Sequence, residues 1–409
     1  MTSSRSRTRD SKRRRRKLNK RGKLALFILL IAVCCIIIWI GKNHQNEEPA
    51  KSAPAAEDDS DNNKKNQVQK KKETKKKKQV KLATADDNKN ISNYLQSIGF
   101  SGTAMIVKDG KIVTNKGFGY ADREHKITNN PETSYFVGSS QKALIATAVL
   151  QLEEKGLLRT SNPVAAYIEG FPNGNQITLK NLLTHTSGIR GHIEGEGAIT
   201  PDELIKDIEN QGIKRQPGIW DYQDSNYSVL AYIVAKVSGE SYEHYITNHI
   251  FKPAGMTYAG FYKTFQKQPY PAVGYKLDKG GNLVTPHILD LSQLYGAGDI
   301  YMSAYDMYKF DQALVDGTLY SKASFEKMFT SGSSSTYGMG FYVDPGSYSN
   351  HGVMPGYNIL NSFSRSGNKF VILFSNIQNN TKLGQVNNKM YQFLNQEEAP
   401  DSQAAKTNG

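Results

Sequence analysis

Val137-Gly138-Ser139-Ser140-Gln141-Lys142 runs directly into Ala143-Leu144-Ile145-Ala146-Thr147-Ala148-Val149-Leu150. Ser139 and Lys142 stand three residues apart, so on a helix they share one face about one turn from each other. The apolar run behind them has no polar stripe before Gln151, which predicts a helix buried on nearly all sides, with Gly156 as its stop. A hydroxyl at the start of a buried helix, with an amine beside it, suits nucleophilic catalysis. The helix N-terminus also favours the negative charge that develops in acyl transfer. Ser139 is therefore the candidate nucleophile and Lys142 its activator. The spacing alone does not decide the matter, because Ser-x-x-Lys recurs at Ser324–Lys327 and Ser366–Lys369. A solvated or helix-capping serine beside an unrelated lysine explains any single copy.

Charge and hydropathy divide the 409 residues into a tail and a domain. Residues 1–90 carry 25 Lys/Arg against 10 Asp/Glu, whereas the remaining 319 carry 27 against 28. The formal charge of +14 thus belongs to the N-terminal part, and the folded part has no basic footprint for nucleic acid. Residues 1–23 form a basic tail with 12 Lys/Arg, followed by 17 uncharged, mostly apolar residues from Leu24 to Ile40. This reads as a single transmembrane anchor over 24–41, with a cleaved signal as the alternative. The positive flank predicts a cytoplasmic N-terminus and an extracellular domain. Residues 42–88 form a charged linker too poor in apolar side chains to order, with an r.m.s. span of ~40 Å. Its lysine run at 70–78 serves either as a solvated spacer or as a contact for anionic polymers or lipid headgroups. Cys34 and Cys35 both lie in the anchor, so the exported domain can form no disulfide or thiolate metal site. Neither a cofactor nor a metal is expected.

From residue 89 to 396 the pattern is that of one α/β domain, with a disordered tail at 397–409. A short helix is predicted over Asn90–Phe100, and Asp109-Gly110 between two apolar runs predicts a hairpin. Helical patterns dominate 139–330, for example Val229–Val237 and Ala304–Leu314. Strands return at Gly338–Val343, Tyr357–Ser364 and Lys369–Ser375, before a last amphipathic helix over Leu383–Leu394. Strands at both ends with helices between imply an antiparallel sheet that joins the two ends of the domain, with a helical lobe inserted.

Pro217-Gly218-Ile219-Trp220-Asp221-Tyr222-Gln223-Asp224-Ser225-Asn226-Tyr227 supplies the deciding context. Together with the Ser-x-x-Lys it resembles the serine beta-lactamase and penicillin-binding-protein superfamily, in its class C-like branch. The Tyr-x-Asn element of that superfamily falls on Tyr222-Gln223-Asp224, with Asp in place of Asn. Ile177–Ile189, with Leu183-Thr184-His185-Thr186-Ser187-Gly188, and Gly296-Ala297-Gly298-Asp299 agree with it. The resemblance implies that Ser139 attacks an acyl carbon while Lys142 and Tyr222 shuttle protons, either of them acting as base. It implies an oxyanion hole from the N–H of Ser139 and one near Val353. His185 is expected to be structural.

The third element departs from the superfamily pattern, where Lys-Thr-Gly lies on a strand beside the nucleophile. Here the stretch is Asn350-His351-Gly352-Val353-Met354-Pro355-Gly356-Tyr357. If Gly352 is the motif glycine, Asn350 takes the lysine position and His351 the threonine position; the register His351-Gly352-Val353 would lose the glycine. A neutral Asn350 weakens recognition of a free carboxylate by about 1.5–3 kcal/mol. Asp224 adds an acid, which suits a substrate carrying an ammonium. A D-alanyl ester is such a substrate, and the chain looks like the teichoic-acid D-alanyl esterases of Gram-positive bacteria. By that resemblance Tyr295 and Tyr301 line the pocket. The expected partners are the membrane and D-alanylated teichoic acid or another cell-wall polymer. The alternatives are a DD-carboxypeptidase or penicillin-binding protein acting on peptidoglycan stem peptides, and a wall-binding or sensing protein without turnover.

Overall fold

The structure, a computed structural model, describes residues 88–396. The expected basic tail, anchor and C-terminal tail, and the linker up to residue 87, lie outside the described residues. Among the described residues no helix is long and apolar enough to cross a membrane.

A strand with apolar side chains on both faces belongs in the middle of a sheet that is covered on both sides. β1 (Gly102–Lys108) is such a strand, followed by β2 (Lys111–Phe118). Near the other end of the domain come β3 (Tyr342–Val343), β4 (Ser347–Met354), β5 (Tyr357–Ser364) and β6 (Lys369–Ser375). Their order in the sheet is β3-β4-β5-β6-β1-β2, antiparallel throughout. β1 pairs with β6 from Gly102↔Ser375 to Lys108↔Lys369, so the sheet closes across the two ends of the domain as expected. Asp109 (φ 51°) and Gly110 (φ 74°) make the β1–β2 connection, both left-handed, as a type I′ turn requires.

Alternation along β1 and β6 sorts the core. Ala104, Ile106, Val371 and Leu373 face a layer made by α1 (Lys89–Ser97) and a C-terminal helix over Leu383–Gln396. Met105, Val107, Phe370, Ile372 and Phe374 face the larger core shared with the helical lobe. That lobe is built on α2 (Lys142–Glu154) and α3 (Ser225–Ser238). Residues 142–152 of α2 are buried without interruption, and Gly156 (φ 72°) follows its end. Ser139 precedes α2 in a one-turn 3-10 helix, Gly138–Gln141. In such a turn residues i and i+3 eclipse, which stacks Ser139 on Lys142.

The expected strand over Gly338–Val343 is confined to Tyr342–Val343. Gly340 takes φ 83°, and a Cβ there would lie 2.6 Å from Ala143 Cα, so the segment folds against the start of α2 instead of extending. Gly352 makes a second close approach: its Cβ would sit 1.9 Å from the Val137 carbonyl oxygen. Only glycine lets β4 pass this close to the turn carrying Ser139, which favours the register with Asn350 in the lysine position. Because rigid backbone blocks the added atom, Gly352→Ala should lower the unfolding free energy by about 3 kcal/mol, read from urea melts.

Candidate active site

Two donor groups and three acceptors define the centre. Lys142 Nζ, on a side chain with no exposed surface, donates to Ser139 Oγ (2.9 Å), Asp224 Oδ1 (2.6 Å) and the Ala297 carbonyl (3.2 Å). All three ammonium protons are therefore used. Tyr222 donates its hydroxyl to the same Ser139 Oγ at 2.8 Å. Burial pulls the Lys142 ammonium down, but the electrostatic attraction of the Tyr222 oxygen and the Asp224 carboxylate outweighs it and holds the group above the ordinary lysine value. Burial pushes the Asp224 carboxyl up, but the Lys142 ammonium outweighs that and holds it below the usual carboxylate range. An ammonium has no lone pair, so the Ser139 proton passes to the Tyr222 oxygen only when that oxygen is a phenolate, the hydrogen bond between them then running from Ser139 to Tyr222.

Neither other Ser-x-x-Lys copy makes this contact. Ser324 and Lys327 reach separately to Glu154 and Glu153 on α2, and Ser366 bonds to Asn368. Context, not spacing, separates the three.

The loop after Ile177 positions Tyr222. His185, with φ 53°, accepts at Nδ1 from the Gln223 N–H (3.3 Å) and from Asn226 Nδ2 (3.1 Å), and its carbonyl accepts from the Asp221 N–H. Backbone on both sides of Tyr222 is thus pinned to one residue. The imidazole also lies against the Tyr222 ring at 4.2 Å, with Tyr227 and Tyr337 closing the stack. This is the structural role expected of His185. Burial first, and the Lys142 charge second, push its imidazole down to about 3, so the ring is neutral. The unfolded chain binds a proton there below about pH 6.5 that the folded one refuses, so stability falls as pH drops from about 6.5 toward 3. For an ordinary value of 6.5 and a folded value of about 3 this single group removes about 5 kcal/mol at most. His185→Asn, which tolerates the left-handed backbone, should flatten that part of the pH–stability curve in urea melts.

Behind the centre, Gln141 ties the nucleophile turn to the Gly296–Asp299 segment. Its Nε2 donates to Asp299 Oδ1 (2.7 Å) and its Oε1 accepts from the Ile300 N–H (2.7 Å). Burial pushes Asp299 up to about 7 despite donation from Gln141 and Tyr242. The segment thereby presents the Ala297 carbonyl to Lys142.

In front, a cleft of about 270 Å³ is lined by Ser139, Tyr222, Tyr337, Gly340, Tyr342, Asn350, His351 and Val353. Met354↔Tyr357 closes the β4–β5 hairpin around Pro355-Gly356, so the N–H and C=O of Val353 point to the opposite edge of β4. β3 has ended by then, at Tyr342↔Ser349. The Val353 carbonyl lies 2.8 Å from where a Gly138 Cβ would be, which puts that free edge against the Ser139 turn. The arrangement brings the backbone N–H groups of Ser139 and Val353 into neighbouring segments beside the hydroxyl. Asn350 is 3% exposed, and neither atom of its amide has a partner. His351 faces out and its Nε2 meets Asn358 Oδ1 at 2.6 Å.

Three sequence expectations need correction. Tyr301 is 1% exposed, its hydroxyl held by Thr264 (2.8 Å) and Gln268 (2.6 Å), because it sits in an internal strand, Ile300–Ser303. Tyr295 packs on Tyr242 and borders a different cavity with Pro201 and Tyr232. Neither lines the cleft. Asp224 spends one carboxylate oxygen on Lys142, so its charge is matched before any substrate arrives, although 44% of its side chain stays exposed. Glu194 lies in the neighbouring loop, fixed by His192 N–H to Ser225 Oγ (2.8 Å) and Gly195 N–H to Gln293 Oε1 (2.9 Å). Partial burial and then the Asp224 charge hold Glu194 above the usual carboxylate range. Sequence reading missed Tyr337 and Tyr342, for neither sits in a recognisable motif. Among the described residues no cluster of His, Cys, Asp and Glu could hold a metal ion.

Residues 88–394 match the family model described as Beta-lactamase. PbpX of Bacillus subtilis (strain 168), named as a penicillin-binding protein, is 78% identical over 317 residues, 78% of this chain and 81% of that protein. A protein of Staphylococcus aureus named teichoic acid D-alanine hydrolase is 34% identical over 264 residues, 63% of this chain and 66% of its own length. The crystal structure of FmtA from Staphylococcus aureus superposes with a TM-score of 0.70 at 29% identity, covering 76% of this chain and 87% of that one.

Proposed function

The chain belongs to the Beta-lactamase family of serine hydrolases, and we propose that it is a membrane-anchored extracellular esterase that removes D-alanyl esters from teichoic acid. The observation that carries this reading is the cleft itself. It offers an activated hydroxyl, no free cation for a substrate carboxylate, and a neutral Asn350 whose amide atoms have no partner. The name of the Staphylococcus aureus relative supports the same substrate.

In the proposed reaction Tyr222 acts as a phenolate held beside the Lys142 ammonium, and it takes the Ser139 proton as Oγ attacks the ester carbonyl. Lys142 stays an ammonium and stabilises negative charge on both oxygens. The carbonyl oxygen moves between the N–H groups of Ser139 and Val353. Collapse of the tetrahedral species breaks the ester bond, and Tyr222 returns its proton to the departing polymer hydroxyl. Water then attacks the D-alanyl-Ser139 ester with Tyr222 again as base, releasing D-alanine and free Ser139. The apolar run at 24–41 would hold the domain beside its polymer at the outer face of the membrane.

The high identity to a protein named as a penicillin-binding protein favours a second reading, cleavage of peptides ending in a free carboxylate. Incubation with D-alanylated lipoteichoic acid and, separately, with a fluorescent penicillin separates the two. The esterase reading predicts free D-alanine and slow or no labelling; rapid labelling of Ser139 without D-alanine release would reverse the assignment.

A further inference from the structure

Two short segments lie antiparallel beside the segment that presents Tyr222. Ile189 bridges Ile213, the Arg190 N–H donates to Gly212 (3.0 Å), and the Lys214 N–H donates to Gly188 (2.8 Å). The packing is close, for a Cβ on Gly188 would fall 2.1 Å from the Arg215 carbonyl oxygen. Three cations therefore share one edge: Arg190, Lys214 and Arg215. The Arg190 carbonyl accepts from Gln223 Nε2 (2.6 Å), next to Tyr222, so this edge is joined directly to the catalytic rim. Asp221 pairs with Lys214 (3.0 Å) and Arg215 (3.3 Å), and among the described residues Arg190 has no ion-pair partner. Three cations against one acid leave a net positive rim on this side of Tyr222, although the folded part of the chain is close to neutral. Behind this rim lies the Lys142–Asp224 pair, whose charges are matched.

We propose that Arg190, Lys214 and Arg215 form a docking strip for the anionic phosphodiester backbone of the polymer whose ester is cleaved. This rests on the substrate reading given above. A polyol phosphate bearing D-alanyl esters alternates phosphate anions with ammonium cations. With one ester at Ser139, the neighbouring phosphates of the chain lie outside the cleft, and the Gln223–Arg190 contact places the strip beside that exit. Guanidinium groups suit this task because their planar donors match phosphate oxygens. Such a strip raises the encounter rate and the residence of a polymer while leaving the chemistry of a small ester alone.

The test compares the full chain with its Arg190→Gln/Lys214→Gln variant, which leaves Arg215 to hold Asp221. The basic N-terminal residues are then common to both arms. On D-alanylated polyglycerol phosphate, kcat/KM should fall about tenfold relative to that on an uncharged small D-alanyl ester, through KM, with the difference shrinking as salt rises. An equal fall on both substrates, or no fall on the polymer, overturns the strip. Binding of polyglycerol phosphate stripped of D-alanine, read by fluorescence anisotropy, needs no turnover. Weaker binding by the variant upholds the strip even where no D-alanine is released, an outcome that removes only the esterase reading. Equal binding by both proteins, or binding only to phosphatidylglycerol vesicles, overturns it.

Discussion

Ser139→Ala should reduce D-alanine release by at least ~10⁴-fold while the protein still folds, because the variant deletes the atom that forms the acyl bond. Ser139 Oγ is the common acceptor of the Lys142 and Tyr222 donors, so alanine leaves both without their target. Tyr222 keeps its packing on His185 and Tyr337, and Lys142 keeps Asp224 and the Ala297 carbonyl. The unfolding midpoint should therefore move little. Release measured against a heat-inactivated control decides the outcome; a variant within tenfold of wild type would rule out Ser139 as nucleophile.

Lys142→Met should cost about 10³-fold or more in kcat, for a different reason. The methionine fills the same buried space but removes the fixed positive charge that favours an anionic Ser139 and an anionic Tyr222 oxygen. Loss of a partner from a fully buried pair typically costs 3–5 kcal/mol. Here the stability penalty should be well below that, since 44% of the Asp224 side chain remains open to water. Asp224→Asn is the informative companion. It keeps an acceptor for Lys142 but removes one of the two contributions that hold the ammonium above its ordinary value. The sign follows from the two shifts. The pair contributes fully between the ordinary carboxylate and lysine ranges. It is lost as pH falls through the depressed Asp224 value or rises through the elevated Lys142 value. In Asp224→Asn burial meets less opposition, so the Lys142 value falls and the alkaline limb of the pH–rate profile should move to lower pH. An unmoved limb would show that Lys142 charge does not govern turnover.

Much of this site was legible in the sequence because it is carried by local strings. The Asp109-Gly110 turn, the two-faced apolar strands at Gly102–Lys108 and Lys369–Ser375, and the buried run after Lys142 each obey a short-range rule. Gly352 could be placed in its register because a glycine at a strand–turn crossing has a steric cause, seen in the contact with Val137. What was not legible depends on distant chain segments. The third acceptor of Lys142 is the carbonyl of Ala297, and a carbonyl has no sequence signature. Asp224 was expected to face the substrate because its charge is visible in the sequence while its partner Lys142 is not identifiable by proximity. Tyr295 and Tyr301 were placed in the pocket by resemblance, but burial on internal elements withdraws them. The strand expected at Gly338 breaks because Gly340 meets α2, a contact between residues almost 200 positions apart.

The central claim is a covalent D-alanyl ester on Ser139, formed from a teichoic-acid ester. Excess enzyme mixed with D-alanylated lipoteichoic acid, quenched in acid within a single turnover and mapped by mass spectrometry, tests it most directly. The account predicts a transient gain of one alanyl residue on the peptide that contains Ser139, rising before free D-alanine appears. Free D-alanine accumulating while that peptide never carries the adduct, or an adduct on another residue, would contradict it.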